Sequence, residues 1–212
     1  MNLHTLFSVK SDLYEEARPS YPSELYQYLL SITPSKSNAW DCACGNGQAA
    51  ESLAVHFDNV IATDVSEQQI ENAKSVGNVE YLVTKSEKTP FTDNTFDLVC
   101  VAQALHWFEF DAFWPEVHRV LKPQGVFAAW GYTWPSISPE IDQIFEATIL
   151  KKIEPYWAAQ NRLLWDHYKD VDFPFKQLDV PDIKMQVDWS LDEFISFIQT
   201  FFSNAQMCRR FR

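Results

Sequence analysis

From Asn38 to Tyr132 the chain alternates short apolar runs with amphipathic stretches. The runs are AWDCAC, NVIATDV, VEYLVTK, FDLVCVAQ and GVFAAWGY. QAAESLAVHF, SEQQIENAKSV and FDAFWPEVHRVLKP lie between them, and each reads as a helix with one apolar face. LKPQG closes the last of these with proline and glycine, and SEKTPFTDNTF, between the third and fourth runs, has turn chemistry and reads as a loop. Strand and helix signals in this order predict an α/β fold: a Rossmann-like, doubly wound, mainly parallel sheet with right-handed crossovers.

The flanks follow a different pattern. Residues 1–37 form a polar arm followed by a helix over SELYQYLLSI, with Leu25, Leu29 and Ile32 at helical spacing. After residue 132 the chain becomes helical and aromatic, and it reads as a C-terminal helical cap. DIKMQVDWS is a further strand candidate, and SLDEFISFIQTFFSNAQ a final helix opened by a capping box of Ser190 and Glu193. The expected organisation is a single domain over 1–212, divided into an arm (1–37), a core (38–132) and a cap (133–212).

Composition narrows the classes. With 46% hydrophobic and 22% charged residues the chain can bury one substantial core. A formal charge of −12 disfavours nucleic acid as a partner. No apolar run approaches the roughly 18 residues of a membrane span, and MNLHTLFSVKSD has no signal-peptide grammar, so a cytoplasmic protein without a membrane partner is expected. Cys42, Cys44 and Cys100 sit in strand-like runs as buried reduced thiols, with Cys208 near the end of the chain. Cys42-x-Cys44 with His56 or His106 departs from zinc-site spacing, and no metal is expected.

The stretch Asp41–Gln48, DCACGNGQ, falls where the first strand gives way to the first helix. Gly45 and Gly47 allow a sharp turn and close approach of a ligand. Asp64 ends the second run at the offset where a carboxylate accepts hydrogen bonds from ribose hydroxyls. Together these positions describe a nucleoside site. A dinucleotide fingerprint wants three glycines, whereas these positions are Ala43, Gly45 and Gly47 in an acidic setting, which suits an amino group better than a pyrophosphate. S-adenosylmethionine offers such a group. An NAD-dependent reductase is the alternative and would call for the fuller glycine pattern.

On these residues the chain resembles the class I S-adenosylmethionine-dependent methyltransferases, and within them the small-molecule branch of trans-aconitate methyltransferase-like proteins. The similar segments are DCACGNGQAA, ATDVSEQQI, SEKTPF, FDLVCVAQALHWF and EVHRVLKPQGVFAAWGY, together with the leading SDLYEEARPSYP. The resemblance implies methyl transfer from S-adenosylmethionine, with S-adenosylhomocysteine as product, to a small molecule such as a carboxylate. It places Asp41 near the methionine ammonium, Asp64 on the ribose, and Val65 and Gln69 on the adenine faces. Ser86 and Glu87 would meet the adenine amine, because Lys85 stands where many relatives carry an acid. Tyr14 and Arg18 would close over the methionine end, and Gln103 and Ala104 would leave the fourth strand toward the same crevice.

His106, Trp107, Tyr132 and Arg162 are the substrate candidates, with His106 the general base for an acceptor that must lose a proton. Lys151, Lys152 and His167 join Arg18 and Arg162 as cations available to an anionic acceptor. Ala43 replaces the family's first glycine, a change compatible with the turn if residue 43 keeps a negative φ. The family's last antiparallel strand has no counterpart run, so a cofactor-binding protein without turnover stands as a second alternative.

Overall fold

The computed structural model describes residues 18–201. Its sheet has five strands: β1 (Asn38–Cys42), β2 (Asn59–Asp64), β3 (Val79–Val83), β4 (Phe96–Ala102) and β5 (Leu121–Trp130). Their order is β3-β2-β1-β4-β5, and every neighbouring pair is parallel. The chain therefore winds outward from β1 to β3 and crosses back to β4. This puts the reversal of winding, and the crevice it opens, at the carboxyl ends of β1 and β4. Helices α1 (Ser23–Ile32), α2 (Gln48–Ala54), α3 (Glu67–Glu71) and α4 (Phe110–Val120) belong to the same unit.

The interior strand FDLVCVA is buried at all but its last residue, as a strand covered on both faces must be. On one face Ala39, Ala62, Leu98 and Cys100 pack beneath Tyr26 of α1 and Ala50 and Leu53 of α2. Trp40, fully buried, donates its indole N–H to Thr63 Oγ1 at 2.9 Å. Its ring lies 5.3 Å from that of Phe91 and 5.8 Å from that of Phe96.

The β3–β4 connection forms no helix, as its turn chemistry predicts, and Arg119 fastens it to α4. Arg119 donates to Glu116 at 2.7 and 2.9 Å, to the Phe91 carbonyl at 2.6 Å and to Asp93 at 2.8 Å. Buried Glu116 also accepts the Thr89 backbone N–H at 2.7 Å.

Three elements differ from expectation. Helix α4 stops at Val120, and LKPQG starts β5 instead of ending the helix. The register shifts between Phe96 and Leu98, and Gln124 takes a left-handed conformation, so proline and glycine sit at an irregularity of an edge strand that can omit ladder bonds. Helix α3 covers five residues of the longer SEQQIENAKSV stretch and buries none of them, so little packing stabilises a longer helix. DIKMQVDWS is not a strand: Ile183, Met185 and Trp189 are half-buried while Val187 is exposed, so alternate burial holds only in part and without ladder bonds.

Contacts divide the chain into two compact units. The sheet unit comprises Ser20–Gly131 and Asp170–Gln186. Within it, Phe175 packs on Trp114 and Phe127 at ring distances of 6.0 and 5.5 Å.

Among the described residues the cap unit comprises 18–19, Tyr132–Lys169 and 187–201. It holds α5 (Pro139–Phe145), which runs through a π-helical stretch, Glu146–Leu150, into α6 (Lys151–Ile153). Helices α7 (Asn161–Trp165) and α8 (Leu191–Phe201) complete its described part. Phe145, Ile153, Phe197, Ile198 and Phe201 form its core. The capping box is present, with Glu193 N–H donating to Ser190 Oγ at 3.3 Å and Ser190 N–H to Glu193 Oε2 at 2.7 Å. No helix among the described residues is long and apolar enough to cross a membrane.

Candidate functional site

After β1 the chain turns through three left-handed positions, Ala43 at φ 56°, Gly45 at 57° and Gly47 at 91°. The condition set on Ala43, a negative φ, is not met. Cys44 N–H is bonded to the Thr63 carbonyl at 2.9 Å, and residue 43 reaches that anchor only by turning left-handed, at a cost of about 1 kcal/mol for a residue with a Cβ. Gly45 N–H donates to Asp64 Oδ2 at 2.9 Å, and Ser66 N–H to Asp64 Oδ1 at 2.9 Å. Asp64 thus holds the glycine turn against the end of β2. Gly47 opens α2, and a Cβ there would collide with the Tyr81 hydroxyl. A Cβ on Gly45 would meet only Gln69 Oε1, at 3.9 Å.

Beneath this turn Asp41 is fully buried. Its Oδ1 accepts the Cys100 thiol at 3.7 Å, while Oδ2 is buried without a hydrogen-bond partner. Burial pushes the carboxyl up to about 7, and the Asp64 charge adds to the rise. The Ala50 backbone and the Cys100 thiol oppose it. The Tyr81 hydroxyl is likewise buried without a partner, and desolvation raises it to about 12. The thiols of Cys42, Cys44 and Cys100 are all pushed up by burial, which leaves them protonated and unreactive.

The other candidates of the sheet unit lie at the exits of β2, β3 and β4. Gln69 stands over Gly45, and Val65, the residue after Asp64, is 40% exposed. Ser86 is buried, and Glu87 Oε1 accepts the Glu109 N–H at 3.4 Å. Gln103, at φ 58°, donates its N–H to the Trp130 carbonyl at 2.9 Å, and Ala104 is buried next to it. His106 is 4% exposed, with its ring 4.8 Å from Trp107, and desolvation lowers it to about 4. His106 is therefore neutral at pH 7.

Tyr14 lies outside the described residues. Arg18 and Tyr132 belong to the cap unit, where the Arg18 guanidinium donates to the Tyr132 hydroxyl at 2.9 Å. Arg162, also of the cap unit, pairs with Glu154 at 3.0 Å on an exposed surface. Lys151 pairs with Glu146 at 3.3 Å.

Tyr81, and the contact of the Cys100 thiol with Asp41, escaped the sequence reading, since Tyr81 and Cys100 look like ordinary strand residues. The signal available was their alternation onto the face that carries Asp41. Tyr81 and Lys85 also have the Tyr-x-x-x-Lys spacing a reductase would use, but Tyr81 lies on β3 with its hydroxyl against the glycine turn and Lys85 is exposed beyond the strand end. Among the described residues no group of three or more His, Cys, Asp or Glu side chains could hold a metal ion.

A parallel sheet whose first strand ends in a glycine turn, bonded to an acidic residue at the end of the second strand, is a doubly wound fold with its crevice at that turn. Residues 40–129 match the family described as "Methyltransferase domain". A Dictyostelium discoideum protein named as a methyltransferase is 32% identical over 199 residues, spanning 92% of this chain and 76% of that protein. A Mycobacterium tuberculosis protein, also named as a methyltransferase, is 34% identical over 113 residues, which cover 53% of this chain and 46% of its own length. Among solved structures, one described as a type II methyltransferase from Anaeromyxobacter dehalogenans superposes with a TM-score of 0.83 at 34% identity, covering 91% of this chain and 82% of that one. The chain belongs to the methyltransferase family, and its fold is that of the class I, S-adenosylmethionine-dependent enzymes.

Proposed function

We propose that this chain binds S-adenosylmethionine at the turn after β1 and methylates a small carboxylic acid, as the trans-aconitate-like branch does. The observation that carries the cofactor reading is the buried Asp41 carboxyl with its unmatched Oδ2, set under a turn whose Gly45 is bonded to Asp64. A buried acid of this kind suits an ammonium, and Asp64 suits a ribose hydroxyl.

S-adenosylmethionine, when bound, supplies a methyl group that an acceptor lone pair takes as the carbon–sulfur bond breaks to leave a neutral thioether. The chain's own work is placement and exclusion of water. Gly45 gives the ligand access to the backbone, and Gly47 lets the turn close against Tyr81. Gln69 covers the turn, and Asp41, once ionised, holds the positive end.

The environment of His106 supports the acceptor class. A histidine lowered to about 4 is a poor proton acceptor at pH 7, where a general base works best with a pKa near the working pH. An ionised carboxylate needs no base, and His106 then serves as a hydrogen-bonding group that orients it. Radiolabelled methyl transfer to a panel of small carboxylic acids, alcohols and amines tests this reading. Base-labile ester product formed only with the acids supports it, and His106→Gln should then retain more than about a tenth of kcat, where a general base would lose about 100-fold or more. Methylation of an alcohol with loss of turnover in His106→Gln would overturn it.

A further inference from the structure

The cap unit contains a cavity of about 520 Å³ that the methyl-transfer reading does not use. Trp134 and Trp165 line it, with ring centres 5.4 Å apart and planes tilted by 40°. Trp157 packs behind both, at 5.4 and 5.8 Å. Asp142, Glu146, Glu154 and Lys151 also line it, and Glu154 is paired with Arg162 at 3.0 Å.

Asp142 is fixed in orientation by the Ser136 hydroxyl at 2.6 Å and the Ile137 N–H at 2.8 Å, and these donors hold its carboxyl below the usual carboxylate range. Glu146 meets Lys151 at 3.3 Å with both side chains more than 60% exposed, a pair weak enough for a ligand to replace.

Each feature excludes a class of ligand. Arg162 pairs with Glu154 and Lys151 with Glu146, so Asp142 leaves the lining net negative, which disfavours an anion. A metal ion needs a convergent ligand set, which no His, Cys, Asp and Glu group among the described residues provides. Indole faces attract weakly hydrated organic cations, and carboxylates at the rim add to that selection. We propose that this cavity binds a small organic ammonium ion, its alkyl groups against Trp134 and Trp165 and its charge matched by Asp142 and Glu146. The site lies within the cap unit and does not rest on the methyl-transfer reading.

The test is a titration of the full chain, without cofactor and at constant ionic strength, followed by tryptophan fluorescence. Choline is the probe, and 3,3-dimethylbutanol is its uncharged counterpart of the same shape. Saturable choline binding, at least about tenfold tighter than that of the alcohol, is expected, because cation–π and carboxylate attraction act on the charge alone. Asp142→Asn/Glu146→Gln should weaken choline about tenfold and leave the alcohol unchanged. Single Glu146→Gln, at an exposed position, keeps the comparison should Asp142→Asn loosen α5. Equal affinity for the two probes, full choline affinity in the variants, or no saturation by choline up to about 50 mM would overturn the proposal.

Discussion

Replacing Asp41 with asparagine should change how stability depends on pH. The carboxyl is fully buried and raised from 3.8 to about 7, so the folded chain keeps a proton there that the unfolded chain gives up near pH 4. Between those values folding takes up one proton, and stability falls by about 1.4 kcal/mol for each unit of rising pH. Over the window from pH 4 to 7 the loss amounts to about 4 kcal/mol, and above pH 7 it levels off because both states are ionised. Asparagine does not titrate. It carries a fixed cost for a buried amide, about 1–3 kcal/mol, but that cost is the same at every pH.

Urea denaturation of both proteins at intervals from pH 5 to 8 isolates the effect. The wild-type advantage should shrink by about 3 kcal/mol between pH 5 and pH 7 and then stay constant. Parallel curves would show that Asp41 is not protonated in the ligand-free fold, and the argument for an unmatched acid beneath the turn would fail.

Further expectations follow from the turn and from the β3–β4 clamp. Gly47→Ala should cost about 3 kcal/mol, since it adds left-handed strain to a collision with Tyr81, whereas Gly45→Ala should cost about 1 kcal/mol from strain alone; thermal melts showing equal losses would refute the role of Tyr81. Ala43→Gly should leave stability unchanged or raise it by up to about 1 kcal/mol, because the relief of strain exceeds the added chain entropy; a clear drop in melting temperature would contradict the φ assigned to residue 43. Arg119→Ala should destabilise by about 2 kcal/mol through the buried Glu116 it leaves unpaired, and hydrogen exchange should quicken between Thr89 and Thr95. Unchanged exchange there would mean that the clamp is not what orders the connection.

The sheet was legible because its runs are short, apolar and separated by amphipathic stretches, a pattern that few other folds produce. LKPQG misled because proline and glycine stop helices generally, while edge strands with an irregular register tolerate them as well. DIKMQVDWS misled because period two reports alternate burial, and burial can come from side-chain packing with no neighbouring backbone to bond. Of the candidate site, Gly45, Gly47 and Asp64 stood out by spacing and Asp41 by the family resemblance, since all four lie on one strand-turn-helix unit and the strand after it. Tyr81 beside Gly47 and Cys100 beside Asp41 did not, because strand pairing brings them there from distant parts of the sequence. The reactivity of His106 was also hidden: sequence locates a histidine, but burial sets its proton affinity.

The central claim is that the turn after β1 holds S-adenosylmethionine, and calorimetric titration of the intact chain with S-adenosylhomocysteine tests it most directly. One-to-one binding with Kd of about 1–100 μM at pH 8, at least about tenfold weaker in Asp41→Asn and in Asp64→Ala, with no heat from NAD, is the predicted result. Binding of NAD in place of S-adenosylhomocysteine, or S-adenosylhomocysteine affinity untouched by both substitutions, would contradict it.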